Sequence, residues 1–79
     1  MKQESHRLRT LLCDDHEIFR EGLSNALKSI ESLEVCGEAA NGAECLDFVA
    51  NNEVDVIFLD INMPVMDGIA TLKAIKKIK

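Results

Sequence analysis

The chain has 79 residues, 47% of them hydrophobic, and a formal net charge of −5 at pH 7. This length holds one domain, and the hydrophobic content is that of a globular protein rather than of a disordered chain. The negative charge argues against binding to nucleic acid or to an anionic membrane by this chain. No apolar run reaches the roughly 20 residues that cross a bilayer.

The cysteines and the N-terminus bear on the compartment and on the domain boundary. Cys13, Cys36 and Cys45 lack the spacing of a zinc site or a disulfide framework. They are expected to be free, buried thiols in a reducing, cytoplasmic setting. Residues 1–7 are too polar for a signal peptide and predict a disordered tail. The domain is therefore expected to span residues 8–79.

The first predicted strand, Leu8–Cys13, runs directly into the acidic pair Asp14 and Asp15. Apolar residues then recur at helical spacing and predict a helix that buries them against a sheet. These residues are Phe19, Leu23, Ala26, Leu27 and Ile30. Gly22 lies inside this pattern, where a glycine costs about 1 kcal/mol of helix propensity. Close packing on the sheet and simple tolerance explain it equally well.

Residues 33–40 predict a weaker second strand, whose Glu34 and Glu38 suit the edge of a sheet. Asn41, with Glu44 three residues later, resembles a capping box at the start of a second helix. Asn51 and Asn52 are expected to end this helix. Its predicted inward residues are Ala43, Leu46, Val49 and Ala50.

The third predicted strand, Val54–Leu59, has apolar residues at successive positions, so both of its faces should be covered. It stops at Asp60. After a turn at Pro64, Asp67 can cap a third helix. The predicted inward residues of this helix are Ile69, Leu72, Ile75 and Ile78. Its lysines, which favour a helix C-terminus, are expected to form a solvated face; they are Lys73, Lys76, Lys77 and Lys79.

The element order β-α-β-α-β-α with short connections predicts an α/β fold with a parallel sheet and crossover helices. The weak second strand belongs outside, which gives the strand order 2-1-3. A lone Asp60 would be interpreted as the end of a strand. Because the carboxyl ends of parallel strands meet at one edge, however, Asp14, Asp15 and Asp60 should share one pocket there.

Two carboxylates about 4 Å apart repel each other by roughly 4 kcal/mol at an effective dielectric constant of 20. The folded chain therefore needs another interaction that compensates for this repulsion. Protonation of one carboxyl group or a bound cation would supply it. Oxygen ligands without cysteine or histidine suit Mg²⁺. A carboxylate beside Mg²⁺ can also be a nucleophile that forms an aspartyl-phosphate.

Three motifs together resemble the receiver domain of two-component response regulators. They are DDHEIFREGL at residues 14–23, CGEAANG at 36–42 and FLDINMPVMDG at 58–68. The first two resemble the subfamily with a LuxR-type helix-turn-helix output domain. The resemblance implies a flavodoxin-like fold, a sensor histidine kinase as partner, and a parent protein that regulates transcription.

The resemblance also implies roles at the site. Asp60 would be the phosphoacceptor, Asp15 a direct Mg²⁺ ligand, and Asp14 the holder of a metal-bound water. Asn62 would give its backbone carbonyl to the metal, so the implied metal set is Asp14, Asp15, Asp60 and Asn62. His16 is interpreted as a residue of the loop or helix start, not as a phosphodonor. The module itself is not expected to be an enzyme.

The sequence departs from the family pattern in length, because it stops at the third helix. The family's Thr or Ser after strand four, its aromatic switch residue and its Lys after strand five lie outside these residues. Strand three would then have a bare apolar edge, which predicts a homodimer or other self-association through that strand. No DNA-reading element is expected in this chain.

Two alternatives stay open at this stage. The first is an inert fragment that acts only through self-association, because the Lys is missing. The second is a Mg²⁺-dependent aspartyl phosphotransferase or phosphatase of the haloacid dehalogenase type. That family places a second acid two residues after its nucleophile, where this sequence has Asn62, so the second alternative is weaker.

Overall fold

A computed structural model describes residues 7–60 and 67–78. The elements alternate as predicted, and the third strand begins at Val56 rather than at Val54. In chain order they are β1 (Leu8–Cys13), α1 (Glu17–Lys28), β2 (Leu33–Ala39), α2 (Gly42–Asn51), β3 (Val56–Leu59) and α3 (Gly68–Ile78). Of the predicted tail, the structure describes Arg7, whose Nε donates to the Glu31 carbonyl at 3.0 Å.

The three strands form a parallel sheet in the order β2-β1-β3, which confirms the predicted 2-1-3 arrangement and the flavodoxin-like fold. The central strand is the most deeply buried, with Leu11 and Leu12 both 0% exposed. This agrees with its mostly apolar second half. Charged Glu34 and Glu38 lie on β2, at the edge of the sheet where water reaches them.

The main core lies on the face of the sheet that α2 and α3 cover. Its buried members come from β1 and β2 of the sheet and from both helices on this face, and they are Leu11, Cys13, Ala39, Cys45, Val49 and Ile75. Residues Ile57 and Leu59 of β3 pack against this cluster. The core therefore ties the third strand to the first two.

On the opposite face α1 packs mainly against β2 and β1. Leu27 is buried as predicted, but Phe19 is 58% exposed and Ala26 and Ile30 are also exposed. The prediction that both faces of β3 are covered is wrong, because Phe58 is 38% exposed. The reason is that α1 lies towards β2 and leaves the β3 side of this face open.

A cavity of about 370 Å³ lies in that open region, and Phe19, Leu23 and Phe58 line its apolar part. Its polar end reaches the ends of β1 and β3, where Asp14 and Asp60 line it. The apolar groove and the acidic edge of the sheet are thus one continuous depression.

The inward faces of α2 and α3 agree only in part with the predicted ones: Val49 and Ile75 are buried, and Leu46 packs against the core. Cys45 and Val49 are buried on α2, whereas Ala43 and Ala50 are exposed. On α3 the buried residues are Gly68, Thr71 and Ile75. The predicted Ile69, Leu72 and Ile78 are each 44–51% exposed. The spacing i, i+3, i+7 of Gly68, Thr71 and Ile75 also forms one helix stripe, and its small residues let α3 approach α2 closely.

Side chains cap the helices as predicted. Asn41 Oδ1 accepts from the Glu44 amide at 2.8 Å, and Glu44 Oε1 accepts from the Ala40 amide at 2.8 Å. Asp67 Oδ1 accepts from the Ala70 amide at 2.8 Å. The lysines of α3 within the described residues are exposed, as expected. No helix of the described part of the chain is long and apolar enough to cross a membrane.

A β-bulge in β2 sets which way its second half faces. Thr10 pairs with Val35 but Leu11 pairs with Gly37, so Cys36 is an extra residue. Glu38 then lies opposite Leu12 on the α1 face. Gly37 faces the ring of Phe48, and a Cβ at this position would lie only 2.5 Å from Phe48 Cε2. Phe48 therefore occupies the space that any larger residue at position 37 would need.

Candidate functional site

The backbone fixes two aspartates at the carboxyl edge of the sheet. The Asp14 amide donates to the Ala39 carbonyl at 3.0 Å, which extends the β1–β2 ladder by one residue. The Asp60 amide donates to the Cys13 carbonyl at 2.9 Å, which extends the β1–β3 ladder in the same way. Asp14 and Asp60 therefore end adjacent, hydrogen-bonded strands.

The structure brings the predicted acidic residues together. One carboxylate oxygen each of Asp14, Asp15 and Asp60 and one ring nitrogen of His16 all lie within 4.8 Å of one another. Asp14 has 14% of its side chain exposed and Asp15 has 29%. The site is thus open to water on the Asp15 side. Asn62, the other predicted metal ligand, lies outside the described residues, as does the turn predicted at Pro64.

His16 occupies the N-cap position of α1, the helix start at which the sequence placed it. Its backbone amide donates to Asp14 Oδ1 at 2.7 Å, and its Nδ1 lies 2.9 Å from the same oxygen and 3.0 Å from Asp15 Oδ1. The ring itself is 70% exposed. The hydrogen bond with Asp14, and then the charge of Asp15, raise the pKa of His16 above its ordinary 6.5.

We expect an NMR titration of the His16 ring to give a pKa above about 6.5, and Asp14→Asn to lower it. The protonated ring favours the folded state, because the folded-state pKa is the higher one. This contribution is complete below the unfolded pKa and is lost as the pH rises through the folded one. Asp47→Asn, on exposed α2 surface, is the control and should leave the titration unchanged. A ring that titrates at or below the ordinary value in the wild-type chain contradicts the described contacts.

The sequence pattern does not distinguish Arg20, yet this residue borders the site. Its Nη1 donates a short hydrogen bond to the Asp14 carbonyl, and its Nε donates to Glu38 Oε1 at 3.0 Å. The one available signal was a cation in the first turns of a helix, where the macrodipole disfavours positive charge.

The cysteines are free, and Cys13 and Cys45 are buried as expected, whereas Cys36 is half-buried. Cys13 directly precedes Asp14 and shares a hydrogen bond with Cys45 in the core. That hydrogen bond and the burial raise the pKa of the Cys13 thiol. Within the core cluster these residues pack as small apolar side chains.

The three carboxylates of the cluster fit Mg²⁺, whereas the His16 nitrogen that lies among them is not a ligand that this ion prefers. Carboxylate oxygens are ligands that Mg²⁺ prefers, and the ion usually keeps several waters. Two ligand atoms on opposite sides of Mg²⁺ lie roughly 4.2 Å apart, twice the Mg–O distance of about 2.1 Å. The cluster spread of 4.8 Å is slightly larger. The described carboxylates therefore fit an ion that some of them hold directly and others hold through water.

The sequence profile described as "Response regulator receiver domain" matches residues 10–79. The chain belongs to the response regulator receiver family. The receiver domain of CheB from Thermotoga maritima superposes with a TM-score of 0.87 at 35% identity, over 91% of this chain and 54% of that chain. The receiver domain of the putative response regulator NarL from Mycobacterium tuberculosis gives a TM-score of 0.86 at 39% identity, over 91% and 58%.

A curated relative, a protein-glutamate methylesterase/protein-glutamine glutaminase from Methanococcoides burtonii, is 40% identical over 70 residues. That alignment covers 89% of this chain and 20% of the relative. The chain thus spans about a fifth of the length of this relative and just over half of the length of each of the two solved receiver structures.

Proposed function

We propose that this receiver accepts a phosphoryl group on Asp60 from a cognate sensor histidine kinase. The observation that carries the proposal is the position of Asp60, which ends β3 within 4.8 Å of Asp14 and Asp15 at the carboxyl edge of a parallel sheet. This is the edge at which α/β sheets place their ligands. The resemblance of residues 58–68 to the receiver motif supports the same residue.

The chemistry is a displacement at phosphorus. A carboxylate oxygen of Asp60 attacks, a P–O bond forms, and the bond from phosphorus to the donor nitrogen breaks with its electron pair leaving on the donor. The hydrogen bond from the Asp60 amide to Cys13 holds the nucleophile at the strand end during this step. Positioning of this kind lowers the barrier of phosphoryl transfer.

Asp14 and Asp15 would hold Mg²⁺ beside Asp60, and we propose that the Asn62 carbonyl completes the set. When bound, Mg²⁺ neutralises charge on the transferring group. Without a cation, the negative Asp14 and Asp15 would repel the incoming phosphoryl group. The end of β3 therefore supplies the nucleophile, and the end of β1 supplies the carboxylates that would hold the neutralising Mg²⁺.

Labelling with acetyl phosphate and Mg²⁺ tests the proposal. We expect intact-mass and peptide analysis to find one added phosphoryl group on Asp60, and EDTA to prevent its addition. Asp60→Asn should remain unlabelled, whereas the control Asp47→Asn, on exposed α2 surface, should label like the wild type. A wild-type chain that takes up no phosphoryl group contradicts the proposal and supports the alternative of an inert fragment that acts only through self-association.

For the parent protein we propose transcriptional regulation through a LuxR-type helix-turn-helix domain, on the strength of the motifs at residues 14–23 and 36–42. The methylesterase named above favours a second candidate, a receiver joined to an esterase domain. The reading frame of the parent gene separates the two, because they require different domains after the receiver.

We also propose self-association through β3. Within residues 7–60 and 67–78 no strand pairs with the outer edge of β3, and Phe58 beside it is 38% exposed. Unpaired apolar edges of this kind favour pairing with another chain. Sedimentation at micromolar concentration should show a dimer or larger species that Phe58→Asp shifts towards monomer. A well-folded wild-type monomer would argue against this contact.

A further inference from the structure

We propose that Arg20, held by Glu38, is a positioning residue for the metal-binding loop at Asp14 and Asp15. The inference rests on the proposed function, because it concerns the site that would hold Mg²⁺. The positively charged Arg20 would thus help to shape a site for Mg²⁺. It also extends the site to β2, the strand that contributes none of the clustered carboxylates.

Arg20 connects three elements through its guanidinium. Nη1 donates to the carbonyl of Asp14 at the end of β1, and Nε donates to Glu38 Oε1 on β2 at 3.0 Å. The Arg20 amide donates to the His16 carbonyl at 2.9 Å, which fixes its Cα in the first turn of α1. The side chain is only 14% exposed. A planar guanidinium can serve both acceptors at once, which an ammonium group at this position cannot do as well.

The hydrogen bond from Arg20 to the Asp14 carbonyl also restrains the backbone of Asp15. The Asp14 carbonyl and the Asp15 amide belong to one planar peptide unit, so the hydrogen bond from Arg20 fixes the orientation of that plane. The Asp14 amide on the other side is fixed by Ala39. With both neighbouring peptide planes held, the Cα of Asp14 and the start of Asp15 have little freedom. The direction in which Asp15 leaves the strand is therefore set by Arg20.

Glu38 reaches Arg20 because of the bulge at Cys36. Without the extra residue, the register after Thr10–Val35 would place Glu38 opposite Cys13, on the core face. The bulge places it opposite Leu12, on the face that α1 covers. The bulge in β2 thus places the Glu38 carboxylate where it can accept the hydrogen bond from Arg20. This partner also offsets the unfavourable position of a cation near the N-terminus of α1.

Arg20→Met separates positioning from simple electrostatics, because the two predict changes of opposite sign. Removing a positive charge near a cation site should tighten Mg²⁺ binding if only charge matters. Loss of the loop geometry should weaken it, by about tenfold for a residue that supports metal ligands from behind. The matched control is Arg9→Met, since Arg9 Nε also donates to a backbone carbonyl, that of Glu53 at 2.7 Å, at the other end of β1.

Mg²⁺ titration of the 79-residue chain followed by NMR gives the affinities, and urea unfolding without metal gives the stabilities. We expect Arg20→Met to bind Mg²⁺ about tenfold more weakly and Arg9→Met to remain near wild type. Glu38→Ala should weaken binding in the wild-type background and have no further effect in Arg20→Met, because it acts through Arg20. Tighter or unchanged binding in Arg20→Met overturns the inference.

A metal-free measurement keeps this inference separate from the proposed function. The His16 amide is hydrogen-bonded to Asp14 Oδ1, so its hydrogen exchange reports the order of the loop. Exchange should become faster in Arg20→Met and in Glu38→Ala but not in Arg9→Met. If the wild-type chain binds no Mg²⁺, the proposed function fails, while this exchange still decides whether Arg20 orders the loop. Equal exchange in all the variants overturns the inference even where Mg²⁺ binds.

Discussion

Leu11→Ala is expected to lower the free energy of unfolding by about 3 kcal/mol. Leu11 is 0% exposed on the central strand, where it belongs to the core cluster shared with α2 and α3. Truncation there removes apolar contacts and leaves a cavity that strands on both sides prevent from collapsing. Urea unfolding followed by circular dichroism measures the loss. In a chain this short, such a loss is a large part of the whole stability.

Leu72→Ala is the matched control, because it makes the same change on α3. Leu72 is 44% exposed, so its truncation should lower the free energy of unfolding by less than about 1 kcal/mol. The sequence pattern predicts Leu72 as an inward residue. Equal losses at positions 11 and 72 would restore that prediction and contradict the described orientation of α3.

Element order and strand order were predictable because they depend on short-range signals. Buried strands such as β1 end at aspartates, and α2 and α3 begin at recognisable caps, Asn41 and Asp67. The charges of β2 indicated an edge strand, and this was enough to give the order 2-1-3. These features lie within a few residues of each other in the chain, where propensity and hydrogen-bonding rules apply directly.

Helix faces were not predictable to the same degree, because more than one stripe of α3 satisfies helical spacing. Hydrophobicity favoured the stripe with Ile69 and Leu72. The structure buries Thr71 instead, at 0% exposure, and its Oγ1 donates to the Asp67 carbonyl at 2.8 Å. A hydroxyl satisfied within its own helix can be buried without a penalty for a lost hydrogen bond. In the contact of α3 with the rest of the fold, the stripe with Thr71 is therefore covered and the stripe with Leu72 is left exposed.

The acidic cluster could be inferred because parallel strands bring their carboxyl ends together, whatever the details of the sheet. The surroundings of the cluster could not. The ring of His16 meets Asp14 and Asp15 through its position at the helix cap. Arg20 contacts Glu38 only because of the bulge at Cys36, and no turn residue or periodicity in β2 indicates that bulge. Long-range register of this kind exists only in the folded chain.

At a pH at which the His16 ring is neutral, Asp60→Asn is expected to raise the free energy of unfolding of the metal-free chain by about 1 kcal/mol, because it removes one of three carboxylates that repel one another. Oxygens of Asp14, Asp15 and Asp60 lie within 4.8 Å, and partial exposure screens the interaction below its buried value. The asparagine keeps a carbonyl oxygen and nearly the same volume, so packing should change little. Urea unfolding in EDTA measures the difference, and Asp47→Asn on exposed α2 surface is expected to leave stability unchanged.

Mg²⁺ should reverse this order of stabilities. An ion that binds only the folded state adds about 2.7 kcal/mol at a free concentration of about 100 times its Kd. Asp60→Asn weakens that binding, so in saturating Mg²⁺ the wild type gains more and becomes the more stable chain. The same carboxylate therefore destabilises the empty fold and stabilises the loaded one, as expected if its place at the strand end serves chemistry rather than folding. If Asp60→Asn is less stable than the wild type in EDTA, the carboxylates do not repel in the way that the site geometry requires.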